Sequence, residues 1–155
     1  MNADGTGQVN LSNSPGWDLY PTWSPDGTHI AFASERDGRA AIYVMNMDGT
    51  GVTRLTDDSA GATDPDWSPD GSKIAFVRDG DIYVMNADGT GAVNLTAGRA
   101  FPTEMPAWSP DGSRIAFVSG QIGGSGIYVM NADGTGITQI SFSPRDSDAW
   151  PSWSP

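Results

Sequence analysis

The sequence lacks several features that large classes of protein require. Its 155 residues include no cysteine, one histidine and eight lysine or arginine residues against 19 acidic ones. The absence of cysteine excludes disulfides and thiolate metal sites, and one histidine cannot form a histidine-based metal cluster. A formal net charge of −11 argues against nucleic acid and anionic membranes as partners, since both are bound by clustered basic side chains. The longest apolar runs, of about five residues, are too short to span a bilayer.

Signals of catalysis and of targeting are also scarce. The chain has no phosphate-binding loop and no Gly-x-Ser-x-Gly motif, and its single histidine, His29, stands beside a predicted turn. Residues 1–7 have neither the basic end nor the apolar stretch of a signal peptide. The neighbouring carboxylates of Asp64 and Asp66 leave glycoside hydrolysis as a minor alternative. We therefore expect a protein that is not an enzyme.

The chain is rich in turn residues and in repeated motifs. It contains 20 glycines and 11 prolines. The motif Trp-Ser-Pro-Asp-Gly begins at Trp23, Trp67 and Trp108, and a truncated copy begins at Trp153. A second motif, Met-Asn-x-Asp-Gly-Thr-Gly, begins at positions 1, 45, 85 and 130. Successive copies lie about 40 to 45 residues apart, a spacing typical of propeller blades.

Each copy predicts four short strands. The tryptophan ends the first strand, Pro-Asp-Gly turns into an apolar Ile-Ala-Phe strand, Ile-Tyr-Val-Met-Asn forms the third, and Asp-Gly makes the hairpin into the fourth. A sheet of this size cannot cover both of its own faces, so sheets must stack around an axis. The sequence predicts an all-β fold of β-propeller blades, each a four-stranded antiparallel sheet. The repeated tryptophans are expected to be buried between blades with their N–H groups hydrogen-bonded.

The motif Trp-Ser-Pro-Asp-Gly-x-x-Ile-Ala-Phe, followed by Ile-Tyr-Val-Met-Asn-x-Asp-Gly, resembles the repeat of the TolB-like β-propellers, bacterial relatives of WD repeats. The resemblance covers essentially the whole chain. It implies that the tryptophan strand is innermost, that rings usually contain six blades, and that the propeller binds protein partners. It also implies a periplasmic or secreted protein. The N-terminal α/β domain of the family's periplasmic member has no counterpart in this sequence.

The chain is expected to be a single repeat domain, 1–155, with incomplete ends. The predicted segments are a lone outer strand (about 7–11) and a mouth loop within 1–19, complete blades at 20–56, 64–96 and 105–141, and a mouth loop with a lone inner strand at 142–155. Three blades do not close a ring, and bare blade faces drive association. We expect assembly with copies of the same chain, most simply as a homodimeric ring of six complete blades, or else a segment of a longer array.

The connections from outer to inner strands depart most from the repeat, and function in repeat folds collects in such loops. They carry aromatic side chains beside carboxylates around one mouth of the central channel. The candidate ligand- or partner-binding residues are Trp17, Asp18, Tyr20, Asp64, Asp66, Phe101, Glu104, Asp148 and Trp150. This combination suits a cationic or peptide-like ligand, such as a protein or peptide, or a metal ion in the channel. The alternative interpretation is a solvated acidic rim. The hairpins between the second and third strands are expected to point away from the axis.

The sequence thus predicts a binding or scaffold module without a cofactor or a metal site. One alternative is an accessory propeller domain of a larger hydrolase. Another is calcium binding in the channel. The motif Asn-x-Asp-Gly matches the middle of a calcium loop, but Val44, Val84 and Val129 stand where the loop requires its first aspartate. The motif therefore favours a hairpin over a calcium site.

Overall fold

The computed structural model describes residues 1, 3–57, 60–122, 124–143 and 151–154 of the chain. Within these residues it contains twelve strands and no helix, and hence no helix that could cross a membrane.

The strands form three antiparallel sheets, each pairing its strands in chain order. The first sheet consists of β1 (Asp18–Trp23), β2 (His29–Ser34), β3 (Ala41–Asn46) and β4 (Thr53–Arg54). The second consists of β5 (Ala62–Trp67), β6 (Lys73–Arg78), β7 (Asp81–Asn86) and β8 (Val93–Asn94). The third consists of β9 (Thr103–Trp108), β10 (Arg114–Gln121), β11 (Gly124–Asn131) and β12 (Thr138–Gln139). The prediction of all-β propeller blades is confirmed.

Apolar packing between successive sheets forms the core. The cluster between the first and second sheets contains Ala31, Ala33, Ile42, Ala62, Trp67, Ile74, Phe76 and Met85. The cluster between the second and third contains Ala75, Val77, Ile82, Val84, Trp108, Ile115, Phe117 and Met130. Strand β6 contributes to both clusters, which explains why its apolar residues run continuously instead of alternating with polar ones. The inner strands β1, β5 and β9 lie side by side.

The segment before β1 takes the place of an outer strand without forming one. The lone outer strand predicted at about 7–11 does not form, because the described residues before β1 pair with no strand. Even so, Leu11 packs on the free face of the first sheet and lies against Gly49 as Leu55 lies against Gly89 one blade later. The third strand to which an outer strand would hydrogen-bond belongs to a preceding blade. Without that strand, the segment packs on the first sheet but forms no strand-to-strand hydrogen bonds.

The repeated tryptophans are buried only where another blade covers them. Trp67 and Trp108 are each 9% exposed, whereas Trp23, on the outer face of the first sheet, is 55% exposed. The expectation that each indole is hydrogen-bonded is wrong for the two buried ones, whose Nε1 atoms have no partner among the described residues. Trp153 does donate from Nε1 to the Ala107 carbonyl at 3.0 Å, although the described residues around it form no strand.

The Asp-Gly pairs shape the turns, as their residue types predict. Asp26 Oδ1 accepts hydrogen bonds from Ser24 Oγ at 2.6 Å and from the Thr28 backbone N–H at 3.0 Å. The side-chain bond from Ser24 and the backbone and side-chain bonds from Thr28 hold the pKa of Asp26 at about 2. Gly27, at φ 69°, supplies the left-handed conformation that the turn requires. The same arrangement recurs at Asp70 and Asp111.

Candidate functional site

The three inner strands border a shared cavity of about 310 Å³. Its lining comes from equivalent positions of β1, β5 and β9, with two residues from the end of the chain: Tyr20, Pro21, Thr22, Asp64, Pro65, Asp66, Met105, Pro106, Ala107, Pro151 and Ser152. Each inner strand is the edge of its sheet, so its free edge has no ladder partner in its own blade. The edges of the three inner strands therefore form the wall of the cavity.

A backbone irregularity recurs in each inner strand and places one side chain on the cavity. Tyr20, Asp64 and Met105 have φ values of 54°, 51° and 55°, and pairing with the second strand shifts register at this point in every blade. Each residue precedes a proline, which disfavours right-handed helical geometry there. A positive φ at a residue other than glycine costs about 1–3 kcal/mol, and such strain is typical of functional positions.

Two carboxylates in the cavity have raised pKa values because they are buried. Burial raises the pKa of Asp66 to about 6, against the opposing effect of hydrogen bonds from the Trp108 and Trp67 backbones. The Trp108 N–H donates to Asp66 Oδ2 at 2.7 Å, which links the inner strands of two blades. Burial also raises the pKa of Asp64, against a 2.7 Å hydrogen bond from Thr63 Oγ1. A partly desolvated carboxylate gains more from a cationic partner than an exposed one does.

The structure brings together three of the residues predicted for the mouth. Tyr20, Asp64 and Asp66 line the cavity. Phe101 and Glu104 are exposed and do not line it. Glu104 directly precedes the three residues of its strand that line the cavity, Met105, Pro106 and Ala107, and it lies before the register shift. The predicted residues Asp148 and Trp150 lie outside the described residues.

Trp17 and Asp18 belong to the rim of the first blade and not to the cavity. Trp17 is 71% exposed, and its carbonyl accepts a hydrogen bond from the Glu35 backbone N–H. Asp18 forms an ion pair with Arg36 at 3.3 Å. Burial works to raise the pKa of Asp18, but hydrogen bonds from Ser12, Ser34 and Arg36 outweigh it and lower that pKa. This carboxylate is therefore already satisfied by the chain itself.

The hairpins between second and third strands lie at the same end of the blades as the connecting loops. The Ala62 N–H donates to the Ala40 carbonyl at 2.7 Å, and the Thr103 N–H donates to the Gly80 carbonyl at 2.6 Å. Each bond joins the start of an inner strand to the hairpin of the preceding blade. An antiparallel meander places these two kinds of loop at one end of the blade. The hairpins therefore help to position the inner strands.

Sequence reasoning missed Met105 and the repeated prolines of the cavity wall. Tyr20, Asp64 and Met105 share neither size nor charge, so composition does not group them. The shared signal is positional, since each stands three residues before the repeated tryptophan and directly before a proline. Among the described residues, no group of three or more histidine, aspartate or glutamate side chains could hold a metal ion.

Stacked four-stranded sheets whose inner strands border a common cavity define a β-propeller protein. The family model described as the TolB beta propeller domain matches residues 1–81 and 78–155. The chain belongs to this family.

Individual relatives agree with the assignment. The Tol-Pal system protein TolB of Syntrophus aciditrophicus is 45% identical over 42 residues, which are 27% of this chain and 9% of the relative. The structure of a putative TolB from Agrobacterium tumefaciens matches with a TM-score of 0.76 and 27% identity over 85% of this chain and 51% of its own. TolB from Acinetobacter baumannii matches with a TM-score of 0.79 and 25% identity, over 94% of this chain and 37% of its own. The chain thus spans about half or less of the length of these relatives.

Propellers that are parts of enzymes share the fold alone. The acylaminoacyl peptidase of Pyrococcus horikoshii matches with a TM-score of 0.64 and 17% identity, over 84% of this chain and 25% of its own. Family membership therefore defines the architecture and does not by itself decide between a binding module and a domain of an enzyme.

Proposed function

We propose that the chain is a non-enzymatic binding module whose channel cavity accepts a basic segment of a protein or peptide. The observation that carries the proposal is the convergence of Tyr20, Asp64 and Asp66 on one cavity at the free edges of the inner strands. The two carboxylates would pair with lysine or arginine, and the Tyr20 ring offers a face for a cation. The net charge of −11 would attract such a partner over a longer range.

The module is proposed to act within a ring formed by two copies of the chain. The exposure of Trp23 supports this, since the equivalent residues Trp67 and Trp108 are buried where the preceding blade covers them. A second copy would cover the free face of the first sheet and enclose the channel. By the family resemblance, we place the assembly in the periplasm or outside the cell.

An accessory role in a larger hydrolase is the second candidate, because a propeller of the same fold belongs to a peptidase. Peptidase activity of the isolated 155-residue chain would contradict the non-enzymatic proposal. Calcium in the channel is a third candidate. A melting temperature that rises with calcium and falls with chelator would favour it, because binding to the folded form alone raises the midpoint.

Titration with a capped tri-lysine peptide tests the proposed cavity. In calorimetry near neutral pH, the double variant Asp64→Asn/Asp66→Asn should bind at least about tenfold more weakly, since each charge-assisted contact is lost. Glu104→Gln removes one charge from the exposed neighbour of the cavity and is the matched control. Its affinity should be close to that of the unmodified chain. Equal losses in both variants would mean that net charge alone attracts the peptide, and the cavity proposal would fail.

Binding of the same peptide should also weaken as the pH falls through about 6, because the Asp66 carboxyl, with its pKa of about 6, becomes protonated there. In Asp66→Asn this pH dependence should disappear. A pH profile that is identical in the variant would assign the dependence to another group.

A further inference from the structure

A second cavity lies at the end of the blades opposite the connecting loops. It has a volume of about 700 Å³ and lies between the first two blades, at the turns that follow β1, β5 and β7. We call it the first groove. Its lining residues are Ser24, Pro25, Asp26, His29, Val44, Trp67, Pro69, Asp70, Gly71, Ala87 and Asp88. The function proposed above makes no use of it.

The same groove recurs one blade later, but there it is much smaller. The second groove, between the second and third blades, has a volume of about 230 Å³. It is lined by Ser68, Pro69, Asp70, Ser72, Lys73, Trp108, Asp111, Gly112 and Ala132. In the repeat, His29 corresponds to Lys73, and Trp67 corresponds to Trp108. The two grooves therefore differ at this repeat position, where the first has His29 and the second has Lys73, whose Nζ donates to Asn86 Oδ1 at 3.3 Å.

In two of three repeats, that position holds a cation of the chain itself. Lys73 lines the second groove together with Trp108. In the third repeat the Arg114 guanidinium lies over the Trp153 ring, 5.6 Å from its centroid. A cation over an indole is the most favourable form of cation–π contact. The first repeat has His29 instead, and the Nδ1 atom of His29 is 2.7 Å from Thr28 Oγ1.

The first groove thus has the walls of a cation site and lacks the cationic side chain. Val44 lines this groove, whereas its counterpart Val84 lies in the core and does not line the second groove. Trp67 is only 9% exposed, and its Nε1–H has no acceptor in the described part of the chain. A ligand that carries a hydrogen-bond acceptor beside its cation could satisfy both features. A peptide has this combination, and a metal ion does not.

The carboxylates of the first groove stay ionised. Hydrogen bonds from Ser68 and Ser72 hold the pKa of Asp70 at about 2. Hydrogen bonds from Thr90 lower the pKa of Asp88. The Thr90 bonds fall on Asp88 Oδ1, and Oδ2 accepts none from the described residues. The groove therefore presents negative charge next to an indole and an apolar wall.

We propose that the first groove binds a lysine or arginine side chain of a peptide, in the place that Lys73 and Arg114 fill in the other two repeats. The groove shares no lining residue with the channel cavity. The aliphatic stem of the side chain would pack on Val44 and Ala87. Its charge would lie near Asp70 and Asp88.

The indole N–H signals in nuclear magnetic resonance spectra provide a site-specific test. The probe is acetyl-Ala-Arg-Ala-amide, and the matched neutral probe carries citrulline in place of arginine. The arginine peptide should shift the Trp67 indole signal saturably and leave that of Trp108 unchanged, and the citrulline peptide should bind at least about tenfold more weakly. A Trp67 signal that does not move, or that moves equally with both peptides, would overturn the proposal.

Exchanging the repeat residues supplies the controls. His29→Lys should abolish the Trp67 response by placing a cation of the chain in the groove, whereas His29→Gln should retain it. Lys73→His should open the second groove, so that the Trp108 signal responds as well. The dispersion of the indole signals reports whether each variant is folded. A Trp67 response that persists in a folded His29→Lys variant would place the peptide elsewhere and contradict the proposal.

Discussion

Asp66 is a carboxylate of the channel cavity whose pKa is raised by burial. The equivalent residues of the other inner strands are Thr22 and Ala107, so the repeat itself does not require a carboxylate there. Its hydrogen bond from Trp108 joins two blades, and burial raises its pKa from the ordinary value of 3.8 to about 6. Asp66 has no cationic partner among the described residues, and a buried carboxylate without such a partner is destabilising when ionised. This cost is consistent with a residue kept for binding.

The pH dependence of stability should reveal that cost. Because its pKa is raised in the folded state, Asp66 contributes stability below about pH 4 that is lost as the pH rises through about 6. Asp66→Asn removes this loss. The gain in free energy of unfolding over the unmodified chain should grow from near zero at about pH 4 to about 2–3 kcal/mol at about pH 7.5. Urea denaturation at the two pH values measures it.

Asp111→Asn is the control for this prediction. Hydrogen bonds from Ser109 and Ser113 hold the pKa of Asp111 at about 2, so its stabilising contribution is present above the ordinary pKa and lost only as the pH falls toward about 2. Its replacement should therefore lower stability at neutral pH. A gain for Asp66→Asn that is the same at both pH values would assign it to packing instead of charge.

At the scale of the element, close packing of each outer-strand segment on the next blade sets the spacing of the sheets. A Cβ atom added at Gly89 would lie 2.9 Å from the Leu55 carbonyl oxygen. Gly5 stands in an identical heptapeptide with a similar φ, +82° against +87°, but has nothing within 4 Å among the described residues. Comparing replacements at the two glycines therefore distinguishes the cost of backbone strain from the cost of a clash between blades.

Alanine replacement at the two positions should have unequal effects. Gly5→Ala should cost about 1–2 kcal/mol, since only the left-handed backbone opposes it in a segment without strand pairing. Gly89→Ala should cost at least about 2 kcal/mol more, because the carbonyl of the neighbouring blade must also move. Thermal unfolding of both variants tests this. Equal losses would show that contact between the outer segment and the next blade contributes little.

The sequence predicted the elements well because each local preference agrees with the repeat. Pro-Asp-Gly forms its turn, the Ile-Ala-Phe strands are buried, and four strands form each blade. It predicted the site less well because the cavity depends on a shift of register within each inner strand. That shift brings Met105 to the cavity and leaves Glu104, its neighbour, outside it. The signal that separates them is positional, because only Met105 stands directly before the proline.

At the scale of the whole molecule, identical motifs in different surroundings show what a complete ring would supply. Trp23 is 55% exposed and Trp67 is 9% exposed, although both begin the same five residues. Trp67 is buried because the first blade covers it. No blade covers Trp23 among the described residues. The free face is therefore suited to another blade.

Replacing the exposed indole should weaken association more than folding. In sedimentation velocity, Trp23→Ala should shift the chain toward monomer, because the burial of an aromatic side chain at the contact is lost. Trp17→Ala is the control, since Trp17 is 71% exposed and belongs to the rim of the first blade. Equal effects of the two replacements would place the contact away from the free blade face.

The mass of the unmodified chain in solution, measured by size exclusion with light scattering, shows whether two copies complete a ring. Two copies that complete a ring should give twice the chain mass of 16.3 kDa at micromolar concentration. A stable species of 16.3 kDa at every concentration would contradict the account, because the first blade face and the channel would then remain open.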